Sequence, residues 1–230
     1  MSQMKKLVII GNKEFAEIAC DYFTYDSEYE VAGFSVEKPY IVDEFLKGKP
    51  VVDFAHLQEI FPPEEYYIFT AITYQQLNRL RRRMYLQCKE WGYRFATYIS
   101  SHAFVWKNNV EIGENSFIFE DNTVQYHVKI GNSVILWSGN HIGHSAQIKD
   151  NSFVSSHVVV SGYSIVGENS FLGVNATMGN NISLPKDSIL AAGAVMTHSF
   201  DEKGKIYAGN PAKQVQKTSY EYYGVRQADI

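Results

Sequence analysis

Five of the chain's seven histidines fall between residues 102 and 157: His102, His127, His141, His144 and His157. The segment SGNHIGHSAQI holds two of them, and Gly162 follows His144 at a separation of eighteen residues. An imidazole accepts a proton near neutral pH. A glycine set against it leaves open space and a backbone N–H. A base for an acceptor's proton and a donor for a developing oxyanion are what acyl transfer needs. His157 has a comparable setting, with Gly139 eighteen residues before it and Asn175 eighteen after. His144 and Gly162 are therefore the candidate catalytic pair. Asn140, His141, Ser145 and His157 are candidates for the acceptor side or for support of the base, and His127, like His141 and His157, for support of the base or a contact between copies.

Eighteen matters because the chain repeats every six residues. From Ser101 to Met196 it divides into sixteen hexads, from SHAFVW to AAGAVM, each ending in an apolar residue. Glycine often follows (Gly113, Gly131, Gly143, Gly167, Gly173, Gly179), and the fourth place is small or apolar. A period of six suits neither a helix nor a plain alternating strand. It suits a parallel β-helix, each hexad one short face and one corner. The last residue points inward, the fourth fills the corner, and the residue after the inward one tolerates a positive φ. Three faces make one coil, so residues eighteen apart stack at about 4.8 Å, and the prism runs about 25 Å on that spacing. On this reading His144, Gly162, Gly139, His157 and Asn175 share one cleared, polar edge.

The strict hexad resembles the hexapeptide-repeat acyltransferases, which implies a left-handed β-helix. A scaffold without catalysis is the alternative on the same repeat. A metal hydratase of the γ-carbonic anhydrase type is another. It would show three histidine ligands with one pair five apart; here the nearest pairs are three and thirteen apart, so no metal is expected.

Residues 1–98 read as a Rossmann-like α/β domain, 99–215 as the β-helix and 216–230 as a tail without assignment. KLVII (Lys6 to Ile10), YEVAGFSV (Tyr29 to Val36) and EYYIFTAI (Glu65 to Ile72) are strands, with an extended piece from Lys49 to Phe54. YRFATYI (Tyr93 to Ile99) is a strand leading into the solenoid. Helices are expected from Phe15 to Phe23, over AHLQEIF, and from Gln75 to Trp91. Alternating strands and helices point to a parallel sheet, with ligands at the strands' carboxyl ends. The first turn, IIGNKEFAE, is not GxGxxG, yet a helix N-terminus can hold a phosphate. Arg81-Arg82-Arg83 reads as a solvated helix face.

This domain order resembles the sugar acyltransferases of the sialic-acid O-acetyltransferase and bacillosamine N-acetyltransferase type, over nearly the whole chain to about Lys213. The resemblance implies acetyl-CoA as donor and a nucleotide-linked amino sugar as acceptor, N-acetylation favoured over O-acetylation. It makes His144 the general base. It places the nucleotide at Gly11, Asn12, Lys13 and Ser35, and CoA near Gly173, Asn175, Ala192, Gly193 and Lys213. It also implies a homotrimer with sites between prisms. YAGNPAK resembles the loop that closes beside the CoA channel. A net charge of −4 gives no sign of nucleic acid or an anionic membrane as partner. The N-terminal apolar run is too short for a signal peptide or a membrane span. Cys20 and Cys88, far apart, read as buried free thiols of a cytoplasmic protein.

Overall fold

The structure is a computed structural model that describes residues 4–226 and 228; the tail's residues 227, 229 and 230 lie outside the described residues, as do 1–3. The chain opens with β1 (Lys5–Ile10), whose last four residues are buried, and α1 (Glu14–Tyr25). α1 buries Phe15, Ala16, Ala19, Cys20 and Phe23, the stripe that helical periodicity requires. Then come β2 (Tyr29–Val36), β3 (Phe45–Leu46), β4 (Lys49–Asp53), a 3-10 turn with the short α2 (Leu57–Ile60), β5 (Tyr66–Thr70), α3 (Arg79–Glu90) and β6 (Arg94–Phe95). The strand order is β3-β4-β2-β1-β5-β6, parallel except for the β3–β4 hairpin. Gly11 ends β1 at φ +134°, and a Cβ there would lie 2.7 Å from the Ala71 carbonyl oxygen. Only glycine suits that close approach.

The solenoid follows as a left-handed parallel β-helix of two-residue strands on three faces. Face one stacks Tyr98–Ile99, Phe117–Ile118, Ile135–Leu136, Phe153–Val154, Phe171–Leu172 and Ile189–Leu190. Face two stacks Phe104–Val105, Thr123–Val124, His141–Ile142, Val159–Val160, Thr177–Met178 and Val195–Met196. Face three runs from Glu111–Ile112 to Ser183–Leu184. The second residue of most strands is inward and fully buried. Partners lie eighteen apart, as the hexads require, except in the first coil, where Tyr98 pairs Phe117 and Phe104 pairs Thr123, nineteen apart. That extra residue corrects the first hexad: Val105 packs on the core, and Trp106 turns out, 45% exposed.

The corner glycines have a different cause from the one expected. Positive φ falls on the third residue of the hexad, at every sixth position from Asn109 to Gly193. His127, Ser145, His157 and Tyr163 are among those left-handed residues. Gly143 and Gly173, in first position, answer to crowding instead. A Cβ on Gly143 would meet Gly162 N at 2.7 Å, and one on Gly173 would meet Ala192 N at 2.5 Å.

Three expectations for the first hundred residues are corrected. Gln75 does not begin α3: Gln76, Leu77 and Asn78 all have positive φ, and the helix starts at Arg79. Tyr93 to Ile99 is not one strand. It divides at Ala96-Thr97, with β6 in the first sheet and Tyr98–Ile99 on face one. Arg81 is not solvated but wholly buried, while Arg82 and Arg83 are exposed. Its guanidinium donates to the carbonyls of Ile72, Thr73, Ser133, Asn151 and Ser152 and to Asn78 Oδ1, at 2.7 to 3.3 Å. Burial pulls its pKa down to about 9, so it keeps its charge at neutral pH. The edge between faces three and one is thus laced to the α/β domain. Thr70 bonds Asn115, Asn78 bonds the Asn169 and Ser170 carbonyls, and Arg79 pairs Asp187 at 2.9 Å.

Beyond the last coil, a strand at Lys205–Ala208 extends face one. It pairs antiparallel with Lys213–Thr218, and α4 (Ser219–Tyr223) follows. Cys20 and Cys88 are free and buried. Among the described residues no helix is long and apolar enough to cross a membrane.

Candidate active site

His144 lies at the corner between faces two and three, with its side chain exposed. A Cβ built on Gly162 would stand 2.6 Å from His144 Cε1 and 2.8 Å from Nε2, so the ring rests directly over that glycine. The Tyr163 ring meets it edge-on at 5.1 Å and 89°. The backbone fixes the corner: His144 N–H donates to Gln125 Oε1 at 2.9 Å, and Tyr163 N–H to the His144 carbonyl at 3.0 Å. Gly162 N–H has no hydrogen-bond partner among the described residues, while the Gly162 carbonyl accepts from Asn181. The base and the N–H donor expected from their spacing therefore meet at one corner.

The other edge candidates do not join them. His157 projects from the next corner, between faces one and two, where its ring covers Gly139. Gly139 N–H is already spent on the Glu120 carbonyl, 3.1 Å away. The single polar strip expected from the sequence is two strips on adjacent edges, because thirteen residues separate His144 from His157. Asn140 is buried and bonded to backbone: Nδ2 donates to the Trp137 carbonyl, and Oδ1 accepts from Val158 N–H. It closes a corner and faces no acceptor. His141 sits half-buried on face two, and Ser145 holds the left-handed place after His144.

A cleft of about 950 Å³ opens where β1, β2 and β5 end. Gly11, Asn12 and Lys13 line it, but Gly11 N–H is bound to the Ser35 carbonyl at 2.9 Å. Asn12 Nδ2 donates to the Tyr40 carbonyl at 2.6 Å, tying down the Lys38–Tyr40 turn. Ser35 is absent from the wall. It is fully buried, and its Oγ finds no partner among the described residues. The cleft continues over the edge between faces one and two, where Trp137, Phe153, Ser156 and Val174 form its far wall and Tyr74 its flank. Sequence reasoning passed over these residues. The one available signal was Trp137, a bulky ring in the first hexad position, where glycine is common.

Gly173 and Asn175 flank the cleft-lining Val174 on that same edge, and Ala192 and Gly193 lie one coil beyond. The loop before Lys213 folds over it: Val195 N–H donates to the Gly209 carbonyl and Ala212 N–H to the Val195 carbonyl. Among the described residues no set of three His, Cys, Asp or Glu side chains is placed to hold a metal.

Residues 127–162 match the family model described as bacterial transferase hexapeptide (six repeats). Perosamine N-acetyltransferase from Caulobacter crescentus, solved with CoA and GDP-perosamine, superposes with a TM-score of 0.82 at 23% identity, over 92% of this chain and 97% of that one. The chain has the fold of a hexapeptide-repeat acetyltransferase. The acetyltransferase domain of PglB from Neisseria gonorrhoeae gives 0.81 at 23% identity, over 92% and 100% of the two chains. WeeI from Acinetobacter baumannii gives 0.72 at 18%, over 91% and 99%. On this hexapeptide-repeat fold, the α/β cleft and the histidine corner are the two features with chemistry to offer.

Proposed function

We propose that the protein transfers an acetyl group from acetyl-CoA to the amino group of a nucleotide-linked amino sugar. The observation that carries the reading is the exposed His144 ring set over Gly162 with its unpaired N–H. The cleft at the carboxyl ends of parallel strands suits the nucleotide, with Lys13 for its phosphates. The small residues Gly173, Ala192 and Gly193, with Asn175, suit a long thin pantetheine arm, and Lys213 suits a CoA phosphate. The solved relatives with CoA and GDP-perosamine bound support the same substrate classes.

The chemistry needs no covalent enzyme intermediate. The amine nitrogen attacks the thioester carbonyl while His144 takes its proton. The carbonyl oxygen becomes an oxyanion and accepts a hydrogen bond from Gly162 N–H. The C–S bond then breaks, the amide remains, and CoA leaves as a thiolate that recovers the proton from His144.

Cleft and base lie on different edges of one prism, and chemistry requires them together. A closed ring of three copies pairs unlike edges of neighbours, as heterologous contacts do. Each site would then combine one protomer's cleft with the next protomer's His144. The exposed rings of Phe104, Trp106 and Tyr126 beside that corner suit burial in such a contact. Two unpaired buried thiols accord with a reducing, cytoplasmic setting.

The test is thiol release from acetyl-CoA with UDP-, GDP- and dTDP-linked amino sugars and their hydroxyl counterparts. Release with an amino sugar alone is expected. Release only with hydroxyl sugars would make the protein an O-acetyltransferase, and none with either would end the reading. Gly162→Ala sharpens it. The new methyl displaces the His144 ring, so kcat should fall about 10–100-fold, and the thermal midpoint should hold because φ there is ordinary. Unchanged kcat would remove Gly162 from the site.

A further inference from the structure

We infer that the C-terminal helix α4, acting through Tyr223, positions the wall of the acceptor cleft; the inference rests on the cleft being the nucleotide-sugar site. Tyr74 is the link. It lines the cleft and packs edge-on against Phe153 and Phe171, each at 5.1 Å. Tyr223 stands behind it, its ring 6.0 Å from those of Tyr74 and Phe171.

The backbone behind Tyr74 needs such support. Gln76, Leu77 and Asn78 have φ of +52°, +52° and +64°, three consecutive left-handed residues without a glycine. L-residues rarely hold that conformation in series. The solenoid secures one end of the turn, through Asn78 Nδ2 on the Asn169 and Ser170 carbonyls. The C-terminal segment secures the rest. Leu77 is buried with Ile189 and Ile206, and Val215, Tyr220 and Tyr223 pack on that cluster.

α4 is itself firmly fixed. Thr218 and Glu221 form a capping box, and Gly224 ends the helix at φ +61°. Ser219 Oγ donates to the Asp187 carbonyl at 2.5 Å, and Tyr220 OH to Asp187 Oδ2 at 3.0 Å. Asp187 also pairs Arg79, the first residue of α3, directly after the left-handed turn. The tail therefore grips both flanks of residues 74–78, and the turn carries Tyr74 into the cleft wall. Tyr223 is a positioning residue, since Tyr74 stands between it and the cleft.

The experiment compares Tyr223→Ala and Tyr223→Phe with wild type, in the full chain. Calorimetry measures binding of UDP, GDP, dTDP and CoA, and hydrogen exchange follows the amides of 73–78. Tyr223→Ala should weaken the nucleoside diphosphate that wild type binds at least tenfold and leave CoA within twofold. It should also speed exchange over 73–78, and Tyr223→Phe should restore both. Nucleotide binding and exchange unchanged in Tyr223→Ala would overturn the inference, as would an equal loss of CoA. Faster exchange in Tyr223→Ala, with no nucleotide bound even by wild type, would support the clamp and refute the nucleotide-sugar reading instead.

Discussion

His144→Ala should lower kcat by about 10²–10⁴-fold and leave the KM for acetyl-CoA within threefold of wild type. The expectation follows from what the ring touches. It lies over Gly162 and beside Tyr163, at an exposed corner, with no share in the buried core. Removing it costs a proton acceptor and little packing, so the thermal midpoint should scarcely move. His157→Ala is the matched control. That ring also covers a glycine, but Gly139 N–H already serves the Glu120 carbonyl and offers no oxyanion donor. A loss below tenfold is expected there. A loss larger than that of His144→Ala would transfer the role to His157, which follows the cleft-lining Ser156. Co-assembly separates the two directly. Inactive His144→Ala protomers mixed with Ser156→Trp protomers, whose cleft is plugged, should regain activity if sites are shared between copies. A mixture as inactive as its components would refute the shared site.

Arg81→Met should destabilise the protein by about 4 kcal/mol, since it strands several buried acceptors that cost about 1–3 kcal/mol each and are not additive. For a chain of this length that corresponds to a fall of about 8–16 °C in thermal midpoint. Five main-chain carbonyls and Asn78 Oδ1 converge on this one guanidinium. Lysine should rescue little, because one ammonium cannot reproduce the planar fork. Arg82→Met, on the exposed face of the same helix, should stay within about 0.5 kcal/mol. An Arg81→Met midpoint within 2 °C of wild type would mean that water or a rearranged α3 satisfies those carbonyls.

The solenoid was legible because its rule is steric and local. Each inward residue must be apolar and each corner small, and both marks recur in the string. The slip in the first coil was hidden because Val105 and Trp106 are both apolar, so either could have closed the hexad. Arg81 was misread for a different reason. Three of its five carbonyl partners lie 52 to 71 residues away, and a carbonyl leaves no mark on residue identity. The cleft wall suffered likewise: Tyr74, Trp137 and Phe153 are ordinary core aromatics until the tertiary fold joins them. The pairing of His144 with Gly162 was legible from the period alone. Its separation from His157 follows from the same period, since thirteen is no multiple of eighteen, but the expectation of one shared edge overlooked it.

The lacing along one edge has a further consequence. Thr70, Arg81, Asn78 and Arg79 touch the corners at Asn115, Ser133, Asn151, Asn169 and Asp187, five successive rungs. A solenoid by itself is indifferent to losing a whole turn, because the severed layers would restack. Here the neighbouring domain works as a gauge with five marks. Excising eighteen residues anywhere between Asn115 and Asp187 would leave at least one mark facing the wrong layer.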